Sequence, residues 1–399
     1  MLGVLNAATS FATSPVLTWS NQTVPTSNDW SAVYYGGPAG QEKFVAISSN
    51  ASGNKVMAST DGISWTASTS AAGNHWNAIT YGGPAGQEKF LAVADTGTNN
   101  RIATSPDGIT WTTQTYGANP NLISVTYGGP AGQEKFVAMT YANITGNIYR
   151  STDGVTWTTT ATNSATNSRR WTSIIYAGPA GQEKFVAVAS NGNSNNGVAT
   201  SADGVTWTAR TSASNNSWNS VTYGGPAGQE KFVAVASSGS GNRVMTSPDG
   251  ITWTAQASAA DLSWTSVTYG NGLFVAVASD NSGGVMTSPD GITWTLGSTS
   301  GGGWSSVAFG NNRFVAVSSP GSNRVMLGAL TPNISSVSPA SGPAAGGTDV
   351  VISGMNFTGT SSVTFAGVAA TSFTLNSDTQ ITAVSPAGDA GVADVAVTT

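Results

Sequence analysis

The 399-residue chain contains no cysteine, so it can form neither a disulfide nor a thiolate metal site. It has one histidine, His75, which excludes a multi-histidine metal centre. Only 8% of its residues are charged, against roughly a quarter in an average soluble protein. The net charge is −5 and the basic residues are scattered, so the basic stripe of a nucleic-acid binder is missing. No stretch approaches the ~18 consecutive apolar residues of a membrane-spanning helix, and no membrane insertion is expected. The start, Met1-Leu2-Gly3-Val4-Leu5, lacks the basic segment and the longer apolar run of a secretory signal. An exported protein of this kind would use an unusual route or be a processed form, whereas release inside a phage virion needs no signal. Gly, Ser, Thr and Asn take the place of the charges. That composition suits a turn-rich all-β fold in an extracellular, cell-surface or virion setting.

What the chain has in abundance is repetition. Gly-Pro-Ala-Gly-Gln-Glu-Lys-Phe occurs five times, ending at Phe44, Phe90, Phe136, Phe185 and Phe232. Two shorter versions, Tyr269-Gly-Asn-Gly-Leu-Phe274 and Phe309-Gly-Asn-Asn-Arg-Phe314, bring the units to seven. Asp-Gly-(Ile/Val)-(Thr/Ser)-Trp follows the first six, as Asp61 to Trp65, Asp107 to Trp111, Asp153 to Trp157, Asp203 to Trp207, Asp249 to Trp253 and Asp290 to Trp294. Successive Trp residues from Trp19 to Trp294 are 46, 46, 46, 50, 46 and 41 residues apart. A period of 40 to 50 with several short strands per unit reads as a β-propeller blade.

One unit divides into four strands by its period-2 apolar pattern and its Gly, Pro, Asn and Asp breaks. In the fifth these are Trp218 to Tyr223, Phe232 to Ala236, Val244 to Thr246 and Ile251 to Thr254. All 13 Trp fall at the fourth strand or at the start of the first, where they are expected to pack between blades. After Phe314 the Asp-Gly signature is missing, and a degenerate copy, Ser14-Pro15-Val16-Leu17-Thr18-Trp19, stands at the chain start. The strand around Ala12 to Trp19 is therefore expected to complete the seventh blade and close the ring, which removes two open sheet edges.

The repeat resembles the Asp-box repeats of sialidase-like propellers. That family's motif is Ser-x-Asp-x-Gly-x-Thr-Trp, and Ser247 to Trp253 is one residue shorter. The resemblance covers residues 12–329 and implies a propeller blade. It does not imply sialidase activity, because the box is a structural turn.

The repeat stops after Leu330. Ser338-Pro-Ala-Ser-Gly-Pro343, Gly346-Gly347-Thr348, Ile352-Ser-Gly-Met-Asn-Phe357 and Asp378-Thr-Gln-Ile-Thr382 resemble the immunoglobulin-like IPT/TIG domain. Alternation in Val350, Ile352, Val363, Phe365, Ile381 and Ala383 fits a β-sandwich. After Asp394-Val-Ala-Val-Thr-Thr399 the resemblance implies one more strand. Its absence leaves an expected open edge, completed by a longer parent chain or by a partner. The organisation expected is an N-terminal extension 1–11, a seven-bladed propeller 12–330 and an Ig-like sandwich 331–399.

No residues promise chemistry. The five Glu, at 42, 88, 134, 183 and 230, sit one per blade and do not converge as a glycosidase acid pair. Lys55, Arg101, Arg243 and Arg324 recur before the third strand as rim contacts, and Lys43 and its copies read as solvated hairpin charges. The chain is not expected to be an enzyme, and no metal or cofactor is expected. Recognition is expected on the face where loops differ between units, with His75, Tyr116, Tyr141, Arg169 and Arg170 as candidates for contact with a protein or a surface glycan. The leading expectation is an attachment or structural decoration module with assembly contacts through the Ig-like domain. A lectin-like binder and a glycoside hydrolase are the alternatives.

Overall fold

Short alternating runs separated by Gly-, Pro- and Asn-rich turns cannot bury a face alone, and in the computed structural model of the protein they assemble in fours. Residues 2–7, 17–50, 55–69, 72–140, 148–160, 169–190, 197–280, 283–299, 301–319 and 325–399 are described. The chain divides into two compact units, Trp19–Leu327 and Met1–Thr18 with Gly328–Thr399. All regular structure among the described residues is β.

The first unit is built from seven four-stranded antiparallel blades. The fifth comprises Trp218–Gly224, Lys231–Ala236, Val244–Ser247 and Thr254–Gln256, in that spatial order. The fourth strand starts one residue after Trp253, later than the alternation suggests. Ile251 and Thr252 give their amides to the Asp249 carboxylate and so belong to the turn. First strands of neighbouring blades touch all around the ring, including Trp304–Gly310 against Trp30–Gly36, so they are innermost. Leu17–Asn21 is the outermost strand of the last blade, beside Val325–Leu330. The expected closure is present there, although residues 12–16 lie outside the described residues.

Every first strand carries a register shift at its second residue, for example between Trp218 and Ser220. Such a bulge turns the extra side chain out of the ladder. Here it faces the next blade: Asn219 Nδ2 donates to the Trp264 carbonyl at 2.8 Å, and Thr172 Oγ1 to that of Trp218 at 2.7 Å. The third residue works in the same direction, with Val267 N donating to Ser220 Oγ at 3.2 Å.

The core lies between blades. Trp76, Phe90 and Trp111 of the second blade pack with Val45, Ile47 and Val56 of the first. Trp30, Trp76, Trp171, Trp218, Trp264 and Trp304 at the strand starts are at most 2% exposed, and Leu122 takes their place in the third blade. The turn Trp residues are anchored by their indoles. Trp65 Nε1 donates to the Gly62 carbonyl at 3.0 Å, and Trp111, Trp157, Trp207, Trp253 and Trp294 repeat the bond.

The second unit is a two-sheet sandwich. One sheet runs Asn333–Ser338, Asp349–Met355, Gln380–Val384, Ser372–Ser377, and the other Ser341–Pro343, Leu2–Ala7, Val392–Thr398, Ser362–Phe365, Val368–Ala369. Val350, Ile352, Phe357, Val363, Phe365, Ile381, Ala383 and Val395 form its core, which includes all six positions picked out by alternation. Two expectations are corrected. Residues 1–11 are not a separate extension, because Leu2–Ala7 is a strand of this sheet. The edge beside Val392–Thr398 is not open, because Leu2–Ala7 satisfies backbone groups there that would otherwise face solvent.

Candidate interaction face

Chain connectivity gives the propeller two unlike ends. The repeated Gly-Pro-Ala-Gly-Gln-Glu-Lys hairpins and the Asp-Gly turns share one. The turns are closed by a single carboxylate oxygen. Asp153 Oδ1 accepts from Val155 N at 2.8 Å, Thr156 N at 2.7 Å and Ser151 Oγ at 2.8 Å, while Gly154 N donates to Ser151 Oγ. Gly154 sits at φ +77°, where a side chain would be strained. Burial pushes the Asp153 carboxyl up, but the Val155 and Thr156 amides with the Ser151 and Thr156 hydroxyls outweigh it and hold it at about 2. In Asp61, Asp107, Asp203, Asp249 and Asp290 the same contest between burial and donors ends below the ordinary carboxylate value.

The hairpin lysines belong to this scaffold too. Lys43 Nζ donates to the Asp107 carbonyl at 2.9 Å, and Lys89, Lys135, Lys184 and Lys231 reach Asp153, Asp203, Asp249 and Asp290 in the same way. They are half-buried interblade ties, not freely solvated charges. This end carries five Glu and six Asp against five Lys and Arg313, which leaves it acidic. Among the described residues no three His, Asp or Glu side chains group as metal ligands.

The other end carries the loops between second and third strands and the connections between blades. The recurring basic residues there are internal clamps. Lys55 is fully buried, and its Nζ donates to the carbonyls of Asn74, at 2.7 Å, and Asn50; burial lowers its pKa. Arg101 binds the carbonyls of Gly97 and Asn119, both at 2.8 Å, and the Asn121 side chain. Arg243 binds those of Gly239, Ser237 and Leu262, with Asp261 Oδ1 3.5 Å from its Nε. Each clamp ties a blade's own loop to the connection leading onward. Arg324 lies outside the described residues.

The candidate residues occupy three successive connections on this end. His75 enters the second blade, Tyr116 leads to the third, and Arg169 and Arg170 enter the fourth. Tyr141 lies outside the described residues. His75 is half-exposed, with Nδ1 3.8 Å from Asp95 Oδ1, a buried oxygen that takes no hydrogen bond. Tyr116 is half-buried, its ring edge-on to Tyr149 with centroids 5.8 Å apart. Burial, then Tyr149, raises the Tyr116 pKa. Arg169 and Arg170 are half-buried and engaged. The structure thus pairs His75 with Asp95 and Tyr116 with Tyr149.

Tyr149 and Arg150 were missed by sequence reasoning, though the signal was there. Their places hold Met57-Ala58, Ala103-Thr104, Ala199-Thr200, Met245-Thr246, Met286-Thr287 and Met326-Leu327 elsewhere. Arg150 Nε is buried and makes no hydrogen bond. The third blade also has Leu122-Ile123 where the others have Trp and a polar residue. The third blade thus departs from the repeat in both its first and its third strand.

The first strands enclose a channel cavity of about 440 Å³ lined by residues such as Tyr34, Asn77, Ser124, Ser173 and Thr265. The serine hydroxyls here accept amides of the next blade, as Ser124 does from Ile174 and Ser173 from Val221.

Comparison with known proteins agrees with this architecture. Residues 332–399 match the IPT/TIG domain family. The chain is a seven-bladed β-propeller joined to an IPT/TIG domain. The propeller is similar to YCF48 from Cyanidioschyzon merolae, at 15% identity and TM-score 0.54 over 78% of this chain and 98% of that one. It is also similar to the β-propeller domain of Cps50 (Swd1) from Myceliophteria thermophila, at 11% and 0.55 over 79% and 100%. The WD40 β-propeller domain of Doa1 matches at 12% and 0.55 over 79% and 97%. At these identities the likeness concerns the fold alone. No curated protein matches the chain.

Proposed function

We propose that this propeller–IPT/TIG chain is a non-catalytic interaction module carried on a cell surface or a virion, and that it binds its partner at the loop end of the propeller around the third blade. One observation carries the reading: the repeat breaks in the third blade, where Tyr149 stands in the place of Ala or Met and packs edge-on against Tyr116 of the connection leading into that blade. A repeat scaffold keeps each position uniform where only packing matters. A buried guanidinium nitrogen without a partner costs stability, and such costs gather at functional sites. The five hairpin Glu, each in a different blade, supply no paired acid. The low charge and hydroxyl-rich surface suit life outside the cytosol. The Ser-x-Asp-Gly turn is read as a shortened relative of the Asp box that serves only to close blades.

A surface glycan is the second reading for the ligand, since the Tyr116–Tyr149 pair and the arginines offer an aromatic face with donors. The test applies the full chain and a Tyr116→Ala/Arg169→Ala/Arg170→Ala variant to a glycan array and to intact cells. Saturable binding lost in a variant of unchanged melting temperature is the expected result, and the array separates glycan from protein. Binding untouched by the variant, or turnover of a chromogenic glycoside, overturns the reading.

A further inference from the structure

The strand Leu2–Ala7 comes first in the chain, yet it lies inside a sheet. Leu2, Gly3 and Val4 pair antiparallel with Pro343, Gly342 and Ser341, and Val4 to Ala7 pair parallel with Val392 to Val395. A strand that followed Val392–Thr398 through a tight hairpin would run antiparallel to it. The direction of Leu2–Ala7 is therefore not imposed by a turn from its neighbour, and the slot takes a strand delivered from far away in sequence.

That slot has the properties of a receptor for an extended segment. Both of its walls are strands with backbone groups facing inward, so main-chain hydrogen bonds supply the binding. Asp394 is the one charged residue along Val392–Thr398, so entry displaces few hydrated charges. Pro343, Val392 and Ala393 also line a cavity of about 390 Å³ with Phe365, Val368 and Pro386, which leaves room at the end where pairing begins. Val392 is 65% exposed despite its pairing. Withdrawing Leu2–Ala7 breaks only three pairs on one side and four on the other and touches no blade. Elements held by few pairs open at low cost.

We propose that this slot exchanges its occupant, so that the Leu2–Ala7 strand of one copy completes the Ig-like sheet of a second copy and links chains head to tail. A second copy is the fitting partner because its strand offers the same sequence in the same register, so no new contact has to be invented. The contact is heterologous, since each copy gives a strand and receives one at different places, and repetition extends a row of molecules. Nine residues, 8–16, separate this strand in sequence from Leu17–Asn21. Being part of the same chain keeps the strand at an effective concentration of order mM, so the internal arrangement dominates in dilute solution and exchange grows with crowding or surface display. None of this depends on what the propeller binds, so either proposal can fail alone.

The absence of native cysteine makes a disulfide trap clean. Leu5 and Ala393 are register partners. A Leu5→Cys/Ala393→Cys chain should close an internal bridge on mild oxidation. Mixing a Leu5→Cys chain with an Ala393→Cys chain should give a covalent dimer of twice 40.2 kDa. Its yield should rise with concentration and exceed at least tenfold that of Leu5→Cys mixed with Thr374→Cys, an exposed position on the other sheet. Excess synthetic peptide of residues 1–10 should suppress it. Asn6→Cys with Asp394→Cys, the next register pair, repeats the test if the first pair disturbs folding. An internal bridge in the double variant with no heterodimer above the control overturns the proposal, as does failure of both double variants to close.

Discussion

The ammonium of Lys89 donates to the backbone carbonyl of Asp153 at 3.0 Å, across the boundary between the second and third blades. A charged donor on a half-buried carbonyl is worth about 1.5–3 kcal/mol, toward the lower end where solvent reaches it. Lys89→Met keeps the aliphatic stem and removes the bond. It should cost about 1.5 kcal/mol, and the melting temperature should drop by ~3 °C. Lys43→Met and Lys184→Met concern distant interfaces, so a double variant should show the sum of the single losses. Differential scanning calorimetry decides, and a neutral Lys89→Met would return these residues to ordinary surface charges.

Acid should unlock the turns together. The Asp153 carboxyl is held at about 2 against its ordinary 3.8. A group depressed on folding contributes stability that is complete above the unfolded value and is lost as pH falls through the folded one. Urea midpoints should thus stay level from pH 7 to about 5 and fall between about 4 and 2, since five other Asp residues are shifted the same way. Asp153→Asn still offers an oxygen to both amides but does not titrate. It should lose about 1 kcal/mol at pH 7, allowing for solvent screening, and show a smaller fall on going to pH 3.

Glycine ends six of the seven first strands and meets a close contact there. A Cβ on Gly310 would overlap the ring of Tyr35 in the first blade, and Gly82, Gly128, Gly224 and Gly270 face Tyr127, Tyr176, Tyr269 and Phe309 in the same way. The fourth blade has Ala177 in this place, so the aromatic ring can yield at one interface. Gly310→Ala should cost about 1–3 kcal/mol by overpacking at the interface where the ring closes, while Ala177→Gly should change stability by less than about 1 kcal/mol. Guanidinium unfolding of both variants compares them directly. Equal effects would mean that glycine is kept there for another reason.

What could be read before folding follows from the range of each interaction. Alternation, the Trp positions and the Asp-Gly turns are local, and they gave the seven blades and the buried faces. The role of Lys43 depends on Asp107, 64 residues away, and the need for glycine at 310 depends on Tyr35; neither leaves a local trace, because ring geometry makes the neighbours. The pairing of the first strand is more remote still: Val4 meets Val392, and nothing in Leu2 to Ala7 advertises a parallel partner at the far end of the chain. At the loop end, His75, Tyr116, Arg169 and Arg170 stood out as unusual residues, but the packing of Tyr116 on Tyr149 required the third dimension. Tyr149 and Arg150 were legible as departures from the repeat, and alternation hid them because they obey the strand pattern.

Returning the third blade to the repeat separates stability from binding. Arg150 Nε has no hydrogen-bond partner, and the equivalent place in four other blades is Thr104, Thr200, Thr246 and Thr287. Thr200 and Thr246 accept there from Arg210 and Gln256 of the outer strands. Arg150→Thr removes the buried unpaired donor and restores a β-branched residue suited to a strand. It should raise stability by about 1 kcal/mol, read as a higher urea midpoint. If the third blade is the binding blade, the same variant should weaken partner capture on cells or glycans by at least tenfold. A more stable protein that binds as before would show that Arg150 is a tolerated irregularity and would move the site away from this blade. A less stable one would show that the guanidinium is held by interactions worth more than its burial costs.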